Sequence, residues 1–136
     1  MEHMDLNIIM FSEFLDRIHY GLTIATTTKA LDRNVTIFFP MKSIKILAKK
    51  KLKFEYDKMI TENGEPGNKY MSDLQNKKIV SIDDLLDFSI NLDVRFMVCE
   101  MGMQYLGLNK SDLIEKLNIT EGGLTYFLNQ SYTNKS

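Results

Sequence analysis

The chain has 136 residues, the length of one domain with a hydrophobic core of its own. Its formal net charge of −1 and its 44% hydrophobic content are ordinary for a globular protein, so neither nucleic acid nor an anionic membrane is an expected partner. Apolar runs are too short for a membrane span, and the N-terminus lacks the basic region and long apolar core of a secretory signal. With one cysteine no intramolecular disulfide is possible, and these features together favour a cytoplasmic protein.

The first part of the chain alternates strand and helix patterns. Residues 6–11 are an apolar run, interrupted only by Asn7, that predicts a strand covered on both faces. Ser12 is placed to cap the following helix, whose apolar spacing predicts one buried stripe made of Leu15, Ile18, Leu22 and Ala25. Residues 35–39 predict a second strand, and residues 43–48 predict a short helix. This order is typical of a parallel sheet with helices on its faces.

The middle of the chain has little apolar periodicity. Residues 49–78 are rich in charge and contain glycine and proline, which predicts a long surface excursion with a mobile tip at 63–68. A partly helical piece is expected at 54–60. Regular structure returns at Ser81, which is spaced to cap a helix together with Asp84.

The end of the chain repeats the alternation. Asn109 and Asp112 have the spacing of a second capping pair, which predicts a helix at 113–117. Residues 117–119 predict a short last strand, and a pair of glycines separates it from a final helix at 124–129.

Cys99 is the candidate functional residue, because it ends a strand predicted at 94–98 and a segment with helical spacing comes after it. In α/β proteins, ligand and reaction sites gather at the carboxyl ends of strands. The positive end of a helix dipole also favours the thiolate, which is the nucleophilic form. The alternative is that Cys99 serves only as a small hydrophobic residue at a strand end.

The residues after the cysteine allow more than one interpretation each. Met101 and Met103 form either a soft apolar wall beside the sulfur, or a copper(I) site with it, or they simply fill gaps in the core. Glu100 is either a proton shuttle or a solvated acid that suits the first turn of a helix. Asp16 either orients a partner or substrate or stabilises the start of the first helix.

A combined pattern runs through most of the chain. It consists of a cysteine after a strand, a methionine-rich short helix, a Gly-Leu and an Asp-Leu pair, and a Gly-Gly before the last helix. The segments that carry it are 8–12, Asp16, 36–39, 94–108, 112–114 and 122–128. In this order they resemble the DsrE/DsrF-like family, in the subgroup described as peroxiredoxin-like or sulfurtransferase-like. Residues 49–78 lie outside the resemblance.

The resemblance implies a fold, an assembly and a role for the cysteine. The fold is a three-layer α/β/α sandwich with a mostly parallel sheet of about five strands, in a single domain over residues 1–136. The assembly is a homo-oligomer, either a dimer, a trimer or a hexamer. In the best-understood relatives the matching cysteine carries a persulfide between a donor and an acceptor protein, and Cys99 is the residue onto which this role maps. The residues expected to shape or support its pocket are Glu100, Met101, Gly102, Met103, Asp16, Gly122 and Gly123.

The leading hypothesis is a cytoplasmic sulfur carrier or sulfurtransferase component that uses no metal or cofactor. Persulfide transfer needs one accessible thiolate, whereas a two-cysteine peroxidase needs a resolving thiol that this chain lacks. Two alternatives stay open: a non-catalytic oligomeric binding protein in which Cys99 lines a ligand or partner pocket, and a reductase that uses an external thiol. Self-association is also favoured by three aromatic residues expected on exposed faces, Phe88, Tyr105 and Tyr126.

Overall fold

The computed structural model describes residues 5–49 and 58–133. Within them, four strands form one sheet: β1 (Leu6–Ile9), β2 (Val35–Phe39), β3 (Arg95–Cys99) and β4 (Asn118–Gly122). The α-helices are α1 (Leu15–Ala30), α2 (Gly67–Asn76), α3 (Ile82–Leu92), α4 (Glu100–Leu106) and α5 (Leu124–Thr133). Two shorter segments, Met41–Leu47 and Lys110–Asp112, are 3₁₀ helices. None of the helices in this described part of the chain combines the length and the apolar character that a membrane crossing requires.

The sheet is parallel throughout, and its spatial order β1-β2-β3-β4 is the order of the sequence. Each connection therefore steps to the next strand in the same direction. Because such crossovers are right-handed, they place the connecting helices on one face of the sheet. The opposite face is covered by α5, the helix that comes after β4.

The core is divided unequally between the two faces. Alternate residues of a strand point to opposite sides. The large cluster on the first face contains Val35, Ile37, Phe39, Phe96 and Val98 from the inner strands, together with the stripe of α1 and residues of α3. The small cluster on the second face contains Phe38 and Met97 from the sheet and Phe127 from α5. The three-layer α/β/α architecture is thus confirmed, with one thick and one thin helical layer.

Local sequence signals account for several elements. The predicted stripe of α1 is completely buried, and it consists of Leu15, Ile18, Leu22 and Ala25. At the start of α3, the Ser81 hydroxyl accepts a hydrogen bond from the Asp84 N–H at 3.0 Å, and the Asp84 carboxylate accepts one from the Ser81 N–H at 3.4 Å. This reciprocal pair is the predicted capping box.

The number of strands and the exposure of the first one differ from expectation. The described residues contain four strands rather than about five, in agreement with the four apolar runs of the sequence. β1 lies at an edge of the sheet. None of its residues is fully buried and Ile9 is 45% exposed, so the strand is not covered on both faces. Ser12 does not cap α1 directly: its hydroxyl accepts the Phe14 N–H at 3.0 Å, and the helix begins at Leu15.

The predicted surface excursion at 49–78 is partly built into the domain. Residues 67–76 form α2, in which Leu74 is buried, and Ile60 pairs with Pro66 in an antiparallel bridge that closes the tip. The helix begins directly after Pro66, a residue whose fixed φ suits a helix start. The helical piece expected at 54–60 lies mostly outside the described residues.

The helix predicted at 113–117 is also absent. Asn109 and Asp112 do form a reciprocal box, but it encloses only the 3₁₀ helix Lys110–Asp112. Leu113 then pairs with Ala48, and the Ile114 N–H donates to the Leu47 carbonyl at 2.9 Å. Pairing with a distant segment therefore replaces the local helical hydrogen bonds.

Candidate functional site

Cys99 is the last residue of β3, a strand that lies between β2 and β4. The next residue begins α4, and Cys99 itself has an extended backbone with φ of −72° and ψ of 126°. The residue is half-buried, and its thiol is free. Its side chain makes no capping hydrogen bond to α4. Cys99 thus stands at the carboxyl end of an inner parallel strand as a half-buried residue, which is the position expected from the sequence.

The surroundings of Cys99 are apolar and polarisable. The residue packs against the small cluster formed by Phe38, Met97 and Phe127. The two aromatic rings lie with their centroids 5.0 Å apart at an angle of 32°. Met97 precedes the cysteine by two residues, so strand alternation places both side chains on the same face. Met97 was not among the predicted site residues, although that alternation was the signal that would have found it.

Gly122 brings the end of β4 close to this cluster. It is the register partner of Cys99, and it is buried. A Cβ atom at this position would stand 2.9 Å from Met97 Sδ and 3.4 Å from Tyr126 Cδ1. Gly123 is different, because a Cβ there would meet no atom within 4 Å. Of the two glycines, only Gly122 is required for close packing beside the cysteine.

The two predicted methionines lie away from the cluster against which Cys99 packs. Met101 is 67% exposed on α4, and Met103 is buried in the large core of the first face. The first face and the second face are separated by the sheet. The methionine sulfur that belongs to the cysteine cluster is therefore that of Met97.

Glu100 lines a separate depression of 520 Å³ that also contains Lys110 and Glu121, and Cys99 is not among its lining residues. Asp16 lies in the first turn of α1, where its carboxylate accepts a hydrogen bond from the Glu62 N–H at 3.0 Å. This contact joins α1 to the segment that precedes α2. It gives Asp16 a role in the fold that the sequence could not indicate, because Glu62 lies 46 residues away.

Comparison of the sequence with known protein families identifies the family of this chain. The sequence profile of the DsrE/DsrF/DrsH-like family matches residues 64–135, more than half of the chain and including Cys99 and its strand. The chain belongs to this family. No curated protein sequence matches the chain.

Two solved structures share the fold of this DsrE-like chain. The YchN protein of E. coli has a TM-score of 0.61 at 12% identity, and the match covers 98% of this chain and 93% of that one. MTH1491 of Methanobacterium thermoautotrophicum, described as a protein of unknown function, has a TM-score of 0.60 at 12% identity over 98% of this chain and 95% of its own. At such low identity the likeness establishes the fold alone.

In this DsrE-like protein, Gly102 fixes the position of the helix that comes after the cysteine. It is buried where α4 crosses the 3₁₀ helix Met41–Leu47. A Cβ atom on Gly102 would lie 2.6 Å from Met41 N, 2.9 Å from Met41 Cα and 2.7 Å from Ile44 Cδ1. Two of these atoms belong to the backbone and have little freedom to move.

We therefore expect Gly102→Ala to lower the free energy of unfolding by about 1–3 kcal/mol, the usual cost of overpacking. The matched control is Gly123→Ala, which adds a methyl group in open space and should change stability by no more than about 0.5 kcal/mol. Denaturant unfolding of both variants measures the difference. Equal stability of the two variants would show that α4 shifts without cost.

Proposed function

We propose that this DsrE-like protein is a sulfur carrier in which Cys99 holds sulfur as a persulfide and passes it from a donor protein to an acceptor protein. The observation that carries the proposal is the position of a single free, half-buried thiol at the carboxyl end of an inner parallel strand. Family membership supports it, because sulfur relay is the role of the best-understood relatives.

The proposed reaction needs only one cysteine. The Cys99 thiolate attacks the outer sulfur of a donor persulfide, so that the S–S bond of the donor breaks and a new S–S bond forms on Cys99. The donor leaves as a thiolate. In the second step an acceptor thiolate attacks the outer sulfur on Cys99, which regenerates the thiolate of the carrier. Each step is an exchange with no net oxidation, and no resolving cysteine or cofactor takes part.

The surroundings of Cys99 suit such a carrier in two ways. On one side, the apolar cluster of Phe38, Met97 and Phe127 keeps water from that flank and offers polarisable contacts to a second sulfur atom. On the other side, the residue remains partly open, which protein-to-protein transfer requires. A fully buried thiol could not meet the nucleophile of a partner.

Intact-mass measurement tests the proposal. We expect wild-type protein incubated with glutathione persulfide to gain the mass of one or more sulfur atoms per chain and to lose it after treatment with a reductant. Free cysteine treated with the same donor in a separate sample serves as the control for an active donor. If the protein stays unmodified while free cysteine is loaded, the protein is a binding protein and not a carrier. Many turnovers of sulfide release per chain, with donor and external thiol both in excess, would favour the reductase alternative, because a loaded carrier treated with thiol releases its sulfur only once.

We also propose that the protein is a homo-oligomer. The three aromatic residues expected on exposed faces, Phe88, Tyr105 and Tyr126, are exposed in the monomer. The outer surface of α5 adds Leu124 and Leu128, which are exposed as well. A second copy that covers the outer surface of α5, formed by Leu124, Tyr126 and Leu128, would bury apolar area that the thin layer of the sandwich leaves in solvent.

We expect the protein to sediment as a dimer or a larger oligomer at micromolar concentration. The double change Leu124→Asp with Leu128→Asp should shift it toward the monomer, because charges would replace the apolar surface of α5. Leu31→Asp, at an exposed leucine directly after α1, is the matched control and should leave the assembly unchanged. A wild-type monomer under these conditions would contradict self-association.

A further inference from the structure

A second cavity lies at the same edge of the sheet, at the carboxyl ends of β1 and β2. Its volume is 660 Å³, within the range of about 300–1,000 Å³ that small-molecule sites occupy. Its apolar wall consists of Phe11, Phe14, Pro40, Met41 and Tyr105. Cys99 and the cluster around it do not contribute to this wall. The cavity is therefore a feature that the proposed sulfur chemistry leaves unexplained.

Two aromatic rings of this cavity stand in solvent. Phe11 is 86% exposed and Tyr105 is 63% exposed. Large aromatic side chains gain most from burial, and their faces attract other rings. Because Phe11 comes after an edge strand and Tyr105 lies on the short helix α4, neither ring has a neighbouring element to cover it in the described part of the chain. A planar ring that enters the cavity would provide this cover.

The charges at the rim are already paired. Arg17 contacts Glu62 at 2.6 Å, and Lys42 contacts Glu13 at 3.8 Å, so that two cations and two anions balance one another. A charged ligand would compete with one partner of a pair and leave the other partner alone. An uncharged ligand would leave both pairs intact, while the guanidinium of Arg17 could still face its ring. The four charged lining residues therefore give the rim no net charge that would attract a charged ligand.

The floor of the cavity is held in an uncommon conformation. Met41 has a φ of +50°, which a bulky residue rarely adopts. The Ser43 hydroxyl donates to the Pro40 carbonyl at 2.7 Å, and α4 packs through Gly102 onto the Met41 backbone. Strained backbone that its neighbours hold in place is found most often at functional sites. These contacts keep the cavity open in advance of any ligand.

From these four observations we propose that the cavity binds a small, uncharged, planar aromatic molecule of about the size of indole or a purine base. The site is separate from the thiol. Binding there does not depend on the proposed sulfur carrier function.

Titration with indole tests the proposal by isothermal calorimetry and by amide chemical shifts. We expect saturable binding of one indole per chain, with the largest shifts around Phe11, Met41 and Tyr105. Indole-3-acetate and tryptamine, which add a negative and a positive charge, should bind about tenfold more weakly or worse. Cyclohexanol, which is neutral but not planar, should not bind.

Matched variants locate the site. Tyr105→Ala and Phe11→Ala should each weaken indole binding about tenfold or more. Tyr20→Ala and Phe88→Ala remove exposed aromatic rings elsewhere and should leave it unchanged. Cys99→Ser should bind indole like the wild type, so that failure of this proposal and failure of the sulfur carrier proposal are distinguishable.

Two results would overturn the proposal. The first is the absence of saturable indole binding, and the second is binding that both cavity variants leave unchanged. If the wild type binds no indole and Phe11→Ala changes the sedimentation, the cavity belongs instead to a contact between two copies of the chain.

Discussion

Cys99→Ser is expected to abolish sulfur loading while the fold survives. Serine is close to cysteine in size, and a half-buried strand end allows solvent to satisfy the new hydroxyl group. The expected loss in the free energy of unfolding is no more than about 1–2 kcal/mol, the range of ordinary point substitutions. Serine forms no persulfide, and its hydroxyl group stays protonated near neutral pH. The mass gain of the wild type with glutathione persulfide should therefore be absent from the variant.

Circular dichroism and denaturant unfolding of the same samples complete this experiment. A folded variant that still gains sulfur would place the loaded atom elsewhere than on Cys99 and would contradict the carrier mechanism. A variant that unfolds would identify Cys99 as a core residue. In that case Cys99→Ala, which adds no polar group to the apolar cluster, shows whether the hydroxyl group or the lost sulfur is responsible.

The features of this protein that sequence reasoning predicts are those that depend on neighbours along the chain. The capping box of Ser81 and Asp84 and the buried stripe of α1 arise from residues three and four positions apart. The placement of Cys99 at a strand end also needs only the apolar run before it and the helical spacing after it. Each of these features is encoded by residues that lie a few positions apart along the chain.

The features that escaped prediction depend on partners far apart in the sequence. The edge position of β1 results from the strand order, and no local pattern specifies that order. The segment after Asp112 pairs with Ala48 and Leu47 instead of forming a helix. The charged residues in and around α2 obscure its apolar periodicity. Pro66 and the spacing of Tyr70 and Leu74 are nevertheless compatible with a helix that begins there.

The candidate site shows the same division. Cys99 and Gly122 meet because parallel pairing brings the ends of β3 and β4 into register, and both residues stand out in the sequence. Nearness along the chain after Cys99 points to Met101 and Met103, and not to Met97. Residues that follow a strand in a helix do not necessarily lie on the same face of the sheet as the last residue of the strand. The alternation of side chains within β3 decides which residues share a face with Cys99.

Phe127→Ala is expected to destabilise the thin layer of the sandwich, which α5 forms. Among the described side chains of α5, Phe127 is the buried apolar residue, and its ring lies 5.0 Å from that of Phe38. Truncation of a buried phenylalanine costs about 3–5 kcal/mol. Since α5 has no other buried apolar anchor among these residues, the loss should appear as undocking of the helix from the sheet.

Undocking of α5 exposes the cluster against which Cys99 packs, so the variant should react faster with iodoacetamide under native conditions as well as unfold at lower denaturant. Phe88→Ala is the matched control: it removes an exposed ring of the same kind from α3 and should change neither property. Lower stability with an unchanged alkylation rate would show that α5 does not control access to the thiol. Faster alkylation would instead identify α5 as the element that shields the apolar flank of Cys99, because the other face of the sheet is closed by the large core.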